Sequence, residues 1–205
     1  MEREVSTQPK PRITPQEYLE LERKAETRSE YFDGEVFAMS GAIREHTKIV
    51  VNLATELNNQ FMDRPCEVYA IDMRTKVSAT GLYTYPDIAA VCDEPRFEDD
   101  HFDTLTNPQL IIEVLSDSTE SYDRGKKFAH YRTVESLREY VLVSQTECRI
   151  ERFTRQDDGN WLYTETTDPG GSIELASVAC RLFLSRVYHK IDFERAKSQQ
   201  GEAHS

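Results

Sequence analysis

The sequence predicts a mixed α/β (α+β) domain: a mixed central β-sheet flanked by α-helices, with an additional C-terminal β-hairpin. Three observations carry this reading. Two apolar runs, Ile88-Ala89-Ala90-Val91 and Leu110-Ile111-Ile112-Glu113-Val114-Leu115, precede a helical stretch and a third apolar run, Tyr140-Val141-Leu142-Val143. Strand, strand, helix, strand implies a mixed sheet with helices against it. Between Ala42 and Met62, Ile49, Val50, Leu53, Leu57 and Phe61 mark one face of a long helix. Asp33-Gly34 and Asp158-Gly159 supply the positive-φ corners of two hairpins.

The elements follow in order. Residues 1–12, with Gln8, Pro9 and Pro11 and no apolar periodicity, read as a flexible N-terminal arm. Thr14-Pro15-Gln16-Glu17 is a capping box with proline at the first helical position, opening a helix to about Ala25. A hairpin spans 30–39, and the long helix follows. Strands are expected at 66–71 and 74–78, with a turn at Thr80-Gly81, and then the strand carrying Asp87. The acid-rich stretch 93–107 reads as a polar, mobile loop. Ser116-Asp117-Ser118-Thr119 caps a helix over about 121–133. A hairpin at 149–167, a short strand at 173–175 and a brief helix at 182–188 complete a single domain over 13–193. A polar, frayed tail is expected over 194–205.

Bulk properties narrow the functional classes. The chain has 205 residues, 38% hydrophobic and 30% charged, which suits one globular domain. No apolar run approaches the roughly 20 residues of a membrane span, and the charged start Met1-Glu2-Arg3-Glu4 lacks a signal segment. A cytoplasmic location is expected. Cys66, Cys92, Cys148 and Cys180 lack zinc or disulfide-framework spacing and read as buried free thiols. The net charge of −12 opposes general DNA binding, which draws affinity from basic residues, unless a basic cleft is segregated from an acidic exterior.

The candidate site is a pair of acids on apolar strands. Asp87 lies in Tyr85-Pro86-Asp87-Ile88, and Glu113, 26 residues on, interrupts an otherwise apolar strand. A carboxylate buried there is costly without a compensating cation or hydrogen bonds. Two of them on adjacent strands can bind one hard divalent ion. The plainer alternative is that each acid pairs with an arginine or lysine. Asp72 and Arg74 alternate along a strand and face one side; either could support Asp87, or they could pair with each other. Tyr131 falls one turn after Lys127 on the same helix face, and Asp123 one turn before it. Tyr131 and Ser116 read as donors that brace the acids.

Tyr31-Phe32-Asp33-Gly34-Glu35-Val36, Ile71-Asp72-Met73-Arg74, Tyr85-Pro86-Asp87-Ile88, Ile112-Glu113-Val114-Leu115-Ser116, Asp123-Arg124-Gly125-Lys126-Lys127 and Ser136-Leu137-Arg138-Glu139-Tyr140-Val141-Leu142 occur in a fixed order. Together they resemble the Uma2 family, once a domain of unknown function, within the PD-(D/E)XK nuclease-like superfamily. The resemblance runs over about residues 14–192. It implies a restriction-endonuclease-like core with a four-stranded mixed sheet, and Asp87 and Glu113 as ligands of Mg²⁺ or Mn²⁺. The superfamily usually sets a lysine two residues after the second acid, where this chain has Leu115. The resemblance moves that lysine to Lys127, with Lys126 on another helical face, about 100° away. It also implies Glu35 as an early acid completing the catalytic set, and His46, with Arg74, on the substrate.

The leading expectation is a divalent-metal-dependent endonuclease hydrolysing DNA phosphodiester bonds, for which a homodimer is plausible because many nucleases cut duplex strands as symmetric pairs. Asp87, Glu113, Lys127 and Glu35 are its catalytic residues. A non-catalytic interaction module with the same fold is the alternative, favoured by the acidic charge and the displaced lysine. Hydrolysis of a small phosphoester is the third.

Overall fold

The protein is described by a computed structural model over residues 12–39 and 41–202. The strands are β1 (Ser29–Phe32), β2 (Glu35–Ala38), β3 (Glu67–Ala70), β4 (Arg74–Val77), β5 (Leu82–Thr84), β6 (Ile88–Val91), β7 (Thr104–Leu105), β8 (Leu110–Leu115), β9 (Glu139–Ser144), β10 (Ile150–Arg155), β11 (Trp161–Thr166), β12 (Ser172–Leu175) and β13 (Cys180–Phe183). The helices are α1 (Pro15–Glu22), α2 (Arg44–Phe61), α3 (Glu120–Tyr122), α4 (Phe128–Tyr131), α5 (Leu184–Val187) and α6 (Phe193–Glu202), with a π-helical turn at Asp123–Lys127 between α3 and α4.

The main sheet has six strands in the order β11-β10-β9-β8-β6-β3, two more than the four-stranded core expected. Only β8 and β9 are parallel in it, and α3, the π turn and α4 form their crossover. A second sheet, β2-β1-β5-β4-β7, and the small β12-β13 hairpin accompany it.

Alternation along β8 separates two apolar clusters. Leu110, Ile112 and Val114 join Ile49, Leu53 and Leu57 of α2, together with Leu175, Leu182 and Leu184 from the C-terminal part. Ile111 and Leu115 join Tyr131, Leu137 and Tyr140 on the opposite face. A third cluster, Tyr18, Leu19, Tyr31 and Tyr83, fastens α1 to the second sheet. The Thr14–Glu17 capping box forms as expected. Asn52 ties α2 to the chain end by donating to the carbonyls of Val187 and His189.

Several expectations need correction. Cys66 and Cys92 form a disulfide, leaving Cys148 and Cys180 as free thiols. The cause is register: Glu67 pairs with Val91, so the next residues out on these antiparallel strands face each other. The acid-rich loop is held at Arg23, which bonds Asp99 at 2.7 Å and Asp103 at 2.7 Å, and it contributes β7. The brief C-terminal helix begins only at Leu184, after β13, and α6 occupies much of the expected tail. The expected arm lies outside the described residues except for Arg12.

Asp103 makes the fold acid-sensitive. The hydrogen bond from Arg23, reinforced by Arg74, holds its carboxyl well below the usual 3.8. A lowered folded pKa stabilises the protein above the unfolded value, and that contribution is lost as pH falls toward the folded one. Acid unfolding followed by circular dichroism should therefore be less steep in Asp103→Asn than in wild type from about pH 4 downward.

Candidate active site

The antiparallel register of β6 and β8 brings the two acids together. Ile88 pairs with Ile112, and one step further Asp87 and Glu113 adjoin. The Asp87 amide lies 3.4 Å from Glu113 Oε2, and the Val114 amide donates to Asp87 Oδ2 at 2.7 Å. The first turn of α2 delivers His46, whose Nε2 is 2.9 Å from Asp87 Oδ1.

Lys127 enters from the π turn. Its side chain is buried among three carboxylates: Nζ lies 2.9 Å from Glu113 Oε1, 3.4 Å from Glu30 Oε1 and 3.5 Å from Asp123 Oδ1. Lys126 beside it is exposed. A π turn widens the helix by one residue and often marks a functional site. Here Asp123, Lys127 and, on α4, Tyr131 are all buried. The Tyr131 hydroxyl donates to Glu113 Oε1 at 2.9 Å, and the Tyr140 hydroxyl donates to the Asp123 carbonyl at 3.0 Å, pinning the turn to β9.

Acids outnumber cations in this centre. Burial pushes the Glu113 carboxyl well up, opposed by Lys127 and reinforced by Asp123 and Asp87. Burial likewise raises Asp123, against Lys127. For Lys127 burial works toward losing the proton, yet Glu113, Tyr131, Glu30 and Asp123 outweigh it and hold its pKa well above the lysine range. Burial and Glu113 keep the Tyr131 phenol protonated, as its donor role requires.

The residues fit a hard divalent cation by donor chemistry. Asp87 and Glu113 offer carboxylate oxygens, the ligands that suit Mg²⁺ and Mn²⁺, and buried Asp123 Oδ1 has no hydrogen-bond donor. Among the described residues, no three His, Cys, Asp or Glu side chains already stand in a metal-holding group; the lysine ammonium lies amid the acids.

Other residues singled out by the sequence lie elsewhere. Glu35 is exposed on edge strand β2, and the acid from this hairpin that reaches the lysine is Glu30. Strand alternation carries the signal that finds it: Tyr31 packs into the tyrosine cluster, which turns Glu30 to the other face. Arg74 is buried away from Asp87, donating to Tyr85 at 2.9 Å and Thr104 at 3.0 Å and pairing with Asp103 at 3.0 Å. Asp72 pairs instead with Arg28. Ser116 bonds Ser118 and Thr119 at the start of the crossover.

This geometry can be set beside known proteins. The family model Uma2, described as "Putative restriction endonuclease", matches residues 15–185. The chain belongs to the Uma2 family. Two relatives from Synechocystis sp. are both described as uncharacterized. Protein sll1609 is 37% identical over 164 residues, covering 80% of this chain and 93% of its own. Protein slr1290 is 36% identical over 185 residues, covering 90% and 96%. A crystal structure from Anabaena variabilis, titled as "a putative nuclease belonging to DUF820", matches with a TM-score of 0.68 at 19% identity, covering 90% of this chain and 99% of that one. That likeness supports the nuclease fold of this Uma2 chain. Among the described residues no helix is long and apolar enough to cross a membrane.

Proposed function

We propose that this protein is a divalent-metal-dependent endonuclease that hydrolyses DNA phosphodiester bonds. The observation that carries the reading is a buried lysine among carboxylates beside two acids at the meeting point of β6 and β8. Asp87 and Glu113 would hold Mg²⁺ or Mn²⁺, which when bound neutralises phosphate charge and lowers the pKa of water. His46 and the Val114 amide fix Asp87 from two sides. Tyr131 fixes the Glu113 rotamer, leaving its other oxygen toward Asp87. Lys127 offers a permanent positive charge to the phosphorane-like transition state. Glu30, in place of Glu35, serves as the early acid and helps hold that lysine. Cutting both strands of a duplex suits a symmetric homodimer.

The test is calorimetry with Mn²⁺ and Mg²⁺ on wild type and Asp87→Asn, followed by nicking of supercoiled plasmid. Wild type should bind the ion and nick DNA, and the variant should lose both while keeping its circular dichroism spectrum. Unchanged binding and nicking in Asp87→Asn would refute the assignment. The net charge of −12 favours a second reading, a non-catalytic interaction module, and absence of ion binding by both proteins would support it.

A further inference from the structure

The rim of the acid centre carries two side chains that the centre itself does not use, Arg28 and Ile71. Arg28 stands immediately before β1, and the Met39 amide donates to its carbonyl at 3.2 Å, extending the β1–β2 ladder by one pair. Alternation along the strand puts Arg28 on the same face as Glu30, the acid that reaches Lys127. Its guanidinium lies over the ring of Tyr85, 5.9 Å from the centroid, and Tyr85 is two residues before Asp87. Arg28 Nε approaches Asp72 Oδ1 at 3.3 Å, and neither Nη group makes a hydrogen bond among the described residues.

Ile71 adjoins Asp87 directly. Its amide donates to the Asp87 carbonyl at 3.1 Å, continuing the β3–β6 ladder past the Ala70–Ile88 pair. Its φ is +63°, and of the five non-glycine residues with positive φ among the described residues it alone is β-branched. In that conformation Cβ crowds the following carbonyl oxygen, and for a β-branched residue it is a genuine outlier. Packing does not offset the strain, because the side chain is 51% exposed. Glycine here would relax the backbone and take apolar surface out of water, so Ile71 is unfavourable to the free protein on both counts. Strained residues cluster at active sites and ligand clamps, where they are part of the mechanism.

The two residues match the two parts of a nucleotide. A planar guanidinium with both Nη groups free suits bidentate recognition of phosphate. Asp72 holds it only by an exposed ion pair, weak enough for a phosphate to displace. Ile71 precedes Asp72, so apolar surface flanks this fork, of the kind that packs against sugars and base edges in a groove. In a chain of net charge −12, a nucleic acid needs its cation at the site itself. We propose that Arg28 and Ile71 form a nucleotide-binding rim of the acid centre. Arg28 takes a backbone phosphate beside the scissile one, and Ile71 packs against the sugar and base edge of that nucleotide. The inference rests on the nuclease reading and adds to it the residues that hold the strand.

The test is steady-state cleavage of a short duplex oligonucleotide with Mn²⁺, over a range of salt, by wild type, Arg28→Gln and Ile71→Gly. Arg28→Gln should raise KM about tenfold at nearly unchanged kcat and reduce the slope of log KM against log salt by about one. Ile71→Gly should also raise KM about tenfold, yet unfold at a temperature equal to or above that of wild type, because glycine accepts the positive φ. A merely structural residue would lose affinity and stability together. Asp72→Asn, which releases Arg28, should lower KM in the wild-type background and leave it unchanged in Arg28→Gln. Calorimetry should give both rim variants the Mn²⁺ affinity of wild type. A wild-type KM in either rim variant, or a lowered unfolding temperature in Ile71→Gly, would overturn the proposal and spare the nuclease, which Asp87→Asn tests separately. A wild type that cleaves no duplex fails on the nuclease reading, and the proposal falls with it.

Discussion

Replacing Lys127 by methionine should lower the free energy of unfolding by about 3–5 kcal/mol, the range for breaking a buried ion pair from one side. The side chain reaches Glu113, Glu30 and Asp123 at once, and both Glu113 and Asp123 are 3% exposed. Methionine fills the volume but leaves these acids facing one another without a cation. In a chain of this size the change corresponds to a drop of roughly 10 °C in Tm. The control is the double variant with Glu113→Gln, which removes one acid and should recover part of the loss. Urea denaturation of the metal-free proteins measures both. A loss below about 1 kcal/mol would place Lys127 with ordinary surface pairs and remove the acid-centred account.

Arg74→Met should be comparably destabilising, by about 3–5 kcal/mol, for a different reason. Arg74 is 2% exposed and joins three elements: Thr104 on β7, Tyr85 just before β6, and Asp103. Tyr85 in turn donates to Glu22 of α1 at 3.0 Å. Removing the guanidinium leaves the buried Tyr85 phenol and Thr104 hydroxyl without their donor, where an unsatisfied group costs its full desolvation, and takes one of two cations from Asp103, which keeps Arg23. The diagnostic is the contrast between readouts. Urea midpoints should fall, while any nuclease KM measured on the folded fraction stays the same. A raised KM at unchanged stability would instead return Arg74 to the substrate.

What could be read in advance follows from how local each signal is. The long helix α2 shows in the spacing Ile49, Leu53, Leu57, and β8 in an apolar run broken once by Glu113. Both are properties of consecutive residues. The Asp87–Glu113 juxtaposition needed only the guess that their strands are neighbours. The rest depends on register between distant segments. Cys66 meets Cys92 because Glu67 pairs with Val91, and no spacing motif carries that information. Glu30 displaces Glu35 because Tyr31 commits its strand face to the tyrosine cluster. Arg74 has the composition of a substrate contact, yet the acids of the 93–107 loop draw it inward, an attraction invisible until the loop is folded back. The π turn has no sequence signature beyond Gly125, and it brings Asp123 as well as Lys127 into the centre.

The crowding of Glu30, Glu113 and Asp123 around one ammonium, with Asp87 beside Glu113, bears on how this chain reaches its native state. In an unfolded chain these acids are far apart along the sequence, so their repulsion arises only as the sheets close. The centre is thus a patch of local frustration inside an otherwise consistent landscape. The apolar faces of β8 and α2 drive folding in spite of it, which leaves the acids free to change without redrawing the scaffold. Substitutions that calm the patch, such as Asp123→Asn, are where a gain in robustness should be sought and where a loss of chemistry should be expected with it.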